Sequence, residues 1–350
     1  MTVPWNRTAP QNEGFAPDLT RKLEELVTAG QLPPVHAIVL ARHGKLLLDR
    51  YFAGEDQQIG YDSIGRITFT GTTLHDLRSV TKSVVGLLYG IALERGLVPA
   101  LDAPLVDAFP EYPDLAADPA RRRLTTAHAL SMTLGLEWDE SLPYTDPRNS
   151  EIAMEMAADR YRFTLDRDIV AAPGERWIYS GGAVALIGAL IERGSGQRLH
   201  DFARDALFLP LGIDQSEWFA GSDGVYSAAA GLRLGALDLL RIGSMLADGG
   251  RYEGRQIVPS SWLEQSWTRR TDTVWGQAYG YLWYLGRATP PAFPEGTPSA
   301  AGYGNGGQRL FVLPEAGVAC VILAGLYDTP GGELGPEWIW RELILPNFVG

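Results

Sequence analysis

The stretch Leu77-Arg-Ser79-Val-Thr-Lys82-Ser-Val-Val-Gly-Leu-Leu-Tyr-Gly-Ile-Ala-Leu-Glu94 decides how the rest of the chain is read. From Ser79 to Glu94 it predicts a helix. Val80, Val84, Leu87, Leu88, Ile91 and Leu93 make it apolar on most sides, so it belongs in the interior, and Gly96 ends it. The chain has three lysines, Lys22, Lys45 and Lys82, and only Lys82 follows a serine by three residues. Positions i and i+3 of a helix share a face about 5–6 Å apart. A lysine there, its pKa lowered by burial, can take the serine hydroxyl proton. The Ser79 amide, among the unpaired donors of the first turn, supplies half of an oxyanion hole. Ser-x-x-Lys is a weak signal by itself, because a solvated lysine on a surface turn has the same spelling. The apolar surround of Lys82 argues against that bland reading, since an unpaired ammonium there is costly.

Upstream, Asp18–Thr28 predicts an amphipathic helix closed by Gly30, and Val35–Ala41 with Leu46–Phe52 predicts a hairpin. Downstream, Val98–Arg123 is rich in Pro and Asp and reads as a crossing into a second lobe. Helices are expected there at Leu124–Met132, Ser150–Asp159, Gly182–Arg193 and His200–Phe208, and near the return at Gly235–Asp248 and Ser260–Arg269. Strands are expected at Tyr279–Leu285, Gln308–Leu313 and Gly317–Leu326. Ala288–Gly307 reads as a long loop by composition, and Pro336–Leu345 as a closing helix. No internal repeat is visible. The expected class is therefore α+β: an antiparallel sheet flanked by helices, built from both chain ends, with a mostly helical lobe inserted. The expected division is 1–105 with 225–350 for the sandwich and 106–224 for the helical insert.

Two further segments carry chemistry. Trp177-Ile-Tyr179-Ser-Gly-Gly182 precedes a helix, where a turn can project the phenol of Tyr179 into a cleft; a phenol beside an ammonium can relay a proton to a leaving group. A packed aromatic is the bland alternative. Gly302-Tyr303-Gly304-Asn305-Gly-Gly307 matches G-x-G-x-x-G literally, but it opens a strand rather than a helix, so the dinucleotide reading fails. Its glycines instead let a substrate approach backbone at a sheet edge, where an amide can complete an oxyanion hole.

In this order and spacing the three segments resemble the serine β-lactamase and penicillin-binding protein superfamily. Within it they are similar to the class C-like esterase and nylon-oligomer (6-aminohexanoate-dimer) hydrolase branch. Leu77–Ser83 resembles the nucleophile helix, Pro173–Gly181 the Tyr-x-Asn segment, and Gly302-Tyr-Gly304 stands in the place of the Lys-Thr-Gly or His-x-Gly strand. The similarity spans roughly Val35 to Leu326 and includes the turn Leu134–Asp139. It implies a β-lactamase/transpeptidase-like fold, Ser79 as nucleophile, Lys82 as base (neutral at rest), Tyr179 as relay, and the amides of Ser79 and Asn305 as oxyanion hole. It implies no cofactor. Two departures stand out. Gly181 replaces the usual Asn, and Gly302 replaces the usual cation, removing a charge-assisted bond to a substrate carboxylate worth roughly 1.5–3 kcal/mol. Penicillin hydrolysis and cell-wall peptidase work are thereby disfavoured. A serine hydrolase of small esters or amides is expected; a β-lactamase or D-amino peptidase, or a binding module that keeps the fold, are the alternatives.

The 350 residues carry a net charge of −12 and a pI near 4.9, a field that repels phosphate backbones and makes nucleic acid an unsuitable partner. No apolar run suits a membrane span. The opening residues lack a signal-peptide core, so a cytoplasmic address is expected. Oligomeric state is left open. The single cysteine, Cys320, sits in an apolar run and reads as a buried small hydrophobe. The five histidines look scattered, with no metal-binding spacing. His75 and Asp76 tempt a Ser-His-Asp reading with Ser79, but sequence neighbours seldom point together. Glu137-Trp-Asp-Glu140 reads as a solvated turn rather than a glycosidase carboxylate pair. Arg121–Arg123 reads as surface. Trp138, Tyr144, Trp177 and Tyr303, with Gly304, are candidate walls of an apolar acyl pocket, core packing being the equal alternative.

Overall fold

A computed structural model describes residues 4–60 and 63–350. Its main sheet has nine strands among the described residues. Numbered within this sheet they are β1 (Asn6–Arg7), β2 (Ala37–Arg42), β3 (Lys45–Tyr51), β4 (Thr271–Asp272), β5 (Ala278–Tyr279), β6 (Tyr284–Ala288), β7 (Thr297–Gly304), β8 (Gln308–Leu313) and β9 (Val318–Leu323). Their order is β1-β3-β2-β9-β8-β7-β6-β5-β4, antiparallel throughout except for the short β1–β3 pair. Both ends of the chain thus build one sheet, as the α+β reading expects. The register Val39↔Val321 with Leu40↔Cys320 shows why. Val39 and Val321 face one hydrophobic cluster, Leu40 and Cys320 the other, the period-2 alternation of a sheet covered on both faces.

One face is covered by α1 (Leu19–Thr28) and the C-terminal helical segment Leu334–Ile344. The other carries α2 (Val80–Glu94) and α5 (Ala236–Ala247). Two helices of the intervening segment bear on the site: α3 (Ser150–Glu155) and α4 (Gly181–Ser195). Helix α4 starts where the Ser180 hydroxyl accepts the Ala183 amide (3.1 Å) and stops at Gly196 in the left-handed conformation. It packs on α2, and residues of both helices share one core with the sheet.

Two expectations need correction. Thr297–Gly304, read as part of a loop, is a central strand of eight residues. Its Pro, Ser, Ala and Gly have little intrinsic strand preference, but small residues suit a strand lying directly beneath a helix: a Cβ on Gly302 would sit 3.1 Å from Ser83 Oγ and 3.4 Å from Val80 Cγ1. The expected single strand Tyr279–Leu285 is broken between β5 and β6. Leu282 there takes φ +61°, donates its amide to the Leu130 carbonyl (2.9 Å), and accepts the Ser83 hydroxyl (2.7 Å).

Candidate active site

Ser79 stands immediately before α2. Arg78 adopts φ +47°, a conformation costly for a residue with a side chain, of order 1–3 kcal/mol. Asp76 holds it there: its Oδ1 accepts the Arg78 amide and its Oδ2 the Ile59 amide, both at 2.9 Å. The acid beside the nucleophile is therefore a backbone clamp. His75 turns away from Ser79 to meet His36, Nε2 to Nδ1 at 2.9 Å, while its own Nδ1 bonds the Asp76 carbonyl. These two histidines, scattered in sequence, meet in space, and with Asp56 they bring ligand-type atoms within 4.8 Å of one another. The hydrogen-bond chain accounts for both imidazoles without a cation. Burial, with each ring's charged neighbours secondary, pushes both down to about 4, so they are neutral near pH 7.

Lys82 is 2% exposed. Its Nζ donates to Ser79 Oγ (3.0 Å) and to the Ala229 carbonyl (2.9 Å), and lies 4.7 Å from the centre of the Tyr179 ring. The phenol of Tyr179 interacts with both Ser79 and Lys82. Tyr179 is placed by its neighbours: the Ile178 amide bonds the Met132 carbonyl (2.8 Å), and the Ser180 amide contacts Met132 Sδ (3.3 Å). Ser79, Lys82 and Tyr179 thus come together.

The charge state of the lysine does not follow the sequence reading. Burial opposes its charge, but Glu151, with Tyr179 and Glu140 beyond, outweighs burial and raises it above the ordinary lysine value. Lys82 therefore rests as an ammonium, not as a neutral amine. Glu151 Oε2 lies 3.7 Å from Nζ. Glu140, placed in a solvated turn by sequence, is turned inward while Glu137 and Asp139 stay exposed. Its Oε1 accepts the Gly181 amide and Trp138 Nε1, both at 2.6 Å, and its Oε2 accepts the Tyr144 hydroxyl (2.9 Å). Burial and then the charge of Glu151, opposed by Lys82, push Glu140 up to about 8. These two carboxyls are the residues that sequence reasoning missed. An available signal was Gly181: a Cβ there would lie 2.5 Å from Glu151 Oε2.

Asn305 follows β7 and borders the same cavity as Ser79. Its side chain is locked to Asp328, donating to Oδ1 and accepting the amide, both at 2.9 Å. Among the described residues, neither the Ser79 nor the Asn305 amide has a hydrogen-bond acceptor. Tyr144, Tyr303 and Gly304 line the larger, 780 Å³ space over Ser79. Trp177 and Trp138 line an adjoining 670 Å³ groove with Val274 and Trp275. Trp138 is 8% exposed, and its ring edges onto Phe163 at 6.2 Å, so it buttresses Glu140 from behind. The cations bordering the cavity face acids: Arg309 reaches Glu337 (3.1 Å), Arg341 the same carboxylate (3.6 Å), and Arg78 Asp76 (3.7 Å). Among the described residues no helix is long and apolar enough to cross a membrane.

Ser79 opens onto the cavity while Lys82 lies buried behind it with a phenol beside both, on a helix packed against an antiparallel sheet. The sequence profile described as Beta-lactamase matches residues 19–339, and the chain belongs to that family. It is 24% identical over 260 residues to the 6-aminohexanoate-dimer hydrolase of Paenarthrobacter ureafaciens, covering 71% of this chain and 59% of that protein. It is 31% identical over 183 residues to Esterase EstB of Burkholderia gladioli, covering 50% of this chain and 44% of that protein. The chain therefore spans about half the length of these curated relatives. Among solved structures it resembles EstCE1, titled a hydrolase with promiscuous acyltransferase activity, with a TM-score of 0.70, 17% identity, and coverage of 95% and 97% of the two chains.

Proposed function

We propose that the protein is a serine hydrolase that cleaves small, uncharged esters or amides through an acyl-enzyme on Ser79. The observation that carries this reading is the 3.0 Å contact between Lys82 Nζ and Ser79 Oγ inside a closed cluster of ionisable groups. Ser79 Oγ attacks the carbonyl carbon and gives its proton toward Lys82, whose ammonium passes one of its own protons on as it does so. The amides of Ser79 and Asn305 receive the oxyanion, a pair of donors that typically contributes about 3–4 kcal/mol per donor. Tyr179 passes a proton to the leaving group, and water releases the acid by the reverse path. The role of the Asn305 amide is supported by its place on the Ser79 cavity and its lack of another acceptor.

Substrate class follows from charge and shape. The cations near Ser79 are matched by carboxylates, and Glu151, Glu155 and Asp328 line the 240 Å³ pocket beside it, so a carboxylate-bearing substrate would enter an acidic site. Helix α2 fills the face of β7 where Gly302 stands in place of a cation. Tyr144, Tyr284, Tyr303 and Trp275 offer an apolar wall for an acyl or alcohol chain. The names of the two curated relatives, a 6-aminohexanoate-dimer hydrolase and an esterase, support hydrolysis of a small amide or ester, while the preference for uncharged substrates rests on the acids around Ser79 alone.

The test is hydrolysis of short-chain p-nitrophenyl esters by the protein and by Ser79→Ala. The variant is expected to lose activity entirely while keeping the parent's melting temperature. Activity near the parent's level would remove Ser79 from the mechanism, and inactivity of both proteins on ester, amide and β-lactam panels would favour a binding module.

A further inference from the structure

Glu151 is a buried acid for which the proposed reaction has so far no task. It is 5% exposed in the first turn of α3, where the Asn149 side chain accepts its amide (3.0 Å). Its Oε2 has no hydrogen-bond partner among the described residues and lies 3.7 Å from Lys82 Nζ. The space it fills exists because residue 181 has no side chain: a Cβ on Gly181 would come 2.5 Å from Oε2 and 2.8 Å from Cδ. Glycine at the start of a fifteen-residue helix has no conformational reason of its own here, since Gly181 is not among the residues with positive φ. We infer that Glu151 is the counter-ion and proton store of Lys82, acting on Ser79 only through the lysine, and that Gly181 is the gap that admits it. This rests on the acyl-enzyme reading of Ser79.

The proton accounting supports the assignment. An ammonium must shed a proton as it takes one. As Ser79 Oγ bonds to the substrate carbonyl carbon, the carbonyl π pair moves to its oxygen. The hydroxyl proton passes to Lys82 Nζ, and one ammonium proton passes to Glu151 Oε2. The negative charge that began on Glu151 ends on the oxyanion, and Lys82 remains an ammonium. When the oxyanion collapses and the bond to the leaving atom breaks, that atom takes a proton from Lys82 by way of Tyr179. Glu151 then returns its proton to the lysine. The 3.7 Å separation is about 0.5 Å beyond a normal N–H···O contact, so a small approach or one bridging water completes the path. Three other titratable groups face the pair. Glu140 and Tyr144 come from the segment before α3, and Tyr179 from the turn before α4.

The experiment measures kcat and KM for a p-nitrophenyl ester from pH 5 to 10 in the parent, Glu151→Gln, Gly181→Ala and the double variant. Glu151→Gln is expected to lower kcat about 100-fold at pH 7, the lower end of what a proton-transfer group contributes, with KM changed less than about twofold. The loss should shrink as pH rises, because an ammonium freed of its neighbour's charge gives its proton to solvent at lower pH. In Gly181→Ala the new methyl pushes the flexible carboxylate aside without breaking the helix. It should tilt the profile in the same direction by a smaller factor, and the double variant should be no worse than Glu151→Gln, the non-additivity of one shared path. A Glu151→Gln profile parallel to the parent's at every pH would overturn the assignment and leave Glu151 a packing residue, as would fully additive losses. Labelling of the parent by a fluorophosphonate separates the two levels. An adduct on Ser79 with parallel profiles sinks the Glu151 role alone, whereas no adduct sinks it together with the acyl-enzyme reading.

Discussion

Replacing Lys82 by Met removes one charge from a buried group of three and keeps the length of the stem. At 3.7 Å and an effective dielectric of about 20, the attraction between Lys82 and Glu151 is roughly 4–5 kcal/mol before desolvation. Removing one partner of such a pair typically destabilises by about 3–5 kcal/mol, because the other charge stays buried and alone. The sign with pH is fixed by the directions of the shifts. The folded pKa of Lys82 is raised, so its contribution is complete below the ordinary lysine value and fades only as pH climbs through the folded one. Between pH 5 and 9 the lysine is charged throughout, and Glu140 is the neighbour that titrates in that window. Without the lysine, Glu140 loses the charge that lowers it and moves up from an already raised value of about 8. Near pH 5, protonating a single buried carboxyl costs only about 1 kcal/mol, since the ordinary glutamate value is close by, and Glu140 is already protonated there in the parent. The destabilisation of Lys82→Met should therefore grow from about 1 kcal/mol at pH 5 to about 3–5 kcal/mol at pH 8. Urea unfolding at both pH values reads it, with m unchanged. Equal losses at the two pH values, or a variant as stable as the parent at pH 8, would refute the charged cluster.

Tyr179→Phe should lower kcat by about 10²–10⁴-fold with little change in melting temperature, measured by ester turnover and calorimetry; a variant keeping a tenth of the parent's kcat would exclude the phenol as relay. Trp275 is 75% exposed at the rim of the cleft, so Trp275→Ala should leave stability within about 0.5 kcal/mol of the parent while raising KM for longer-chain or aromatic esters by about 2–10-fold. Gly90→Ala should cost about 1–3 kcal/mol in urea unfolding, because a Cβ there runs into the Trp262 indole, whose Nε1 bonds the Gly86 carbonyl at 2.9 Å.

The nucleophile helix was legible because its two signals agree. A helix apolar on most sides demands burial, and every residue from Val80 to Ala92 is buried; a buried lysine one turn from a serine demands a reason. The hairpin of β2 and β3 was legible from its β-branched and leucine runs around His43-Gly44, where both residues take positive φ. Strand β7 was not legible. Thr-Pro-Ser-Ala-Ala-Gly-Tyr-Gly has the composition of a loop, and only the helix lying over it explains why small residues are needed there. The carboxyl pair was hidden for a different reason. In a chain with 42 acidic residues, Glu140 and Glu151 have nothing local to set them apart from solvated ones. What turns Glu140 inward is the distant Gly181 amide, joined by the indole of its near neighbour Trp138, a pairing that no periodicity in sequence reveals. The neutral lysine was read from burial alone, which lowers a lysine, whereas the acids that raise it have no local signal in the sequence.

The most direct measurement is the intact mass of the protein after exposure to a fluorophosphonate ester, followed by peptide mapping. One adduct per chain, carried by Ser79 and absent from Ser79→Ala, is the predicted result. No adduct, or an adduct that persists in Ser79→Ala, would contradict the claim that this hydroxyl is an activated nucleophile.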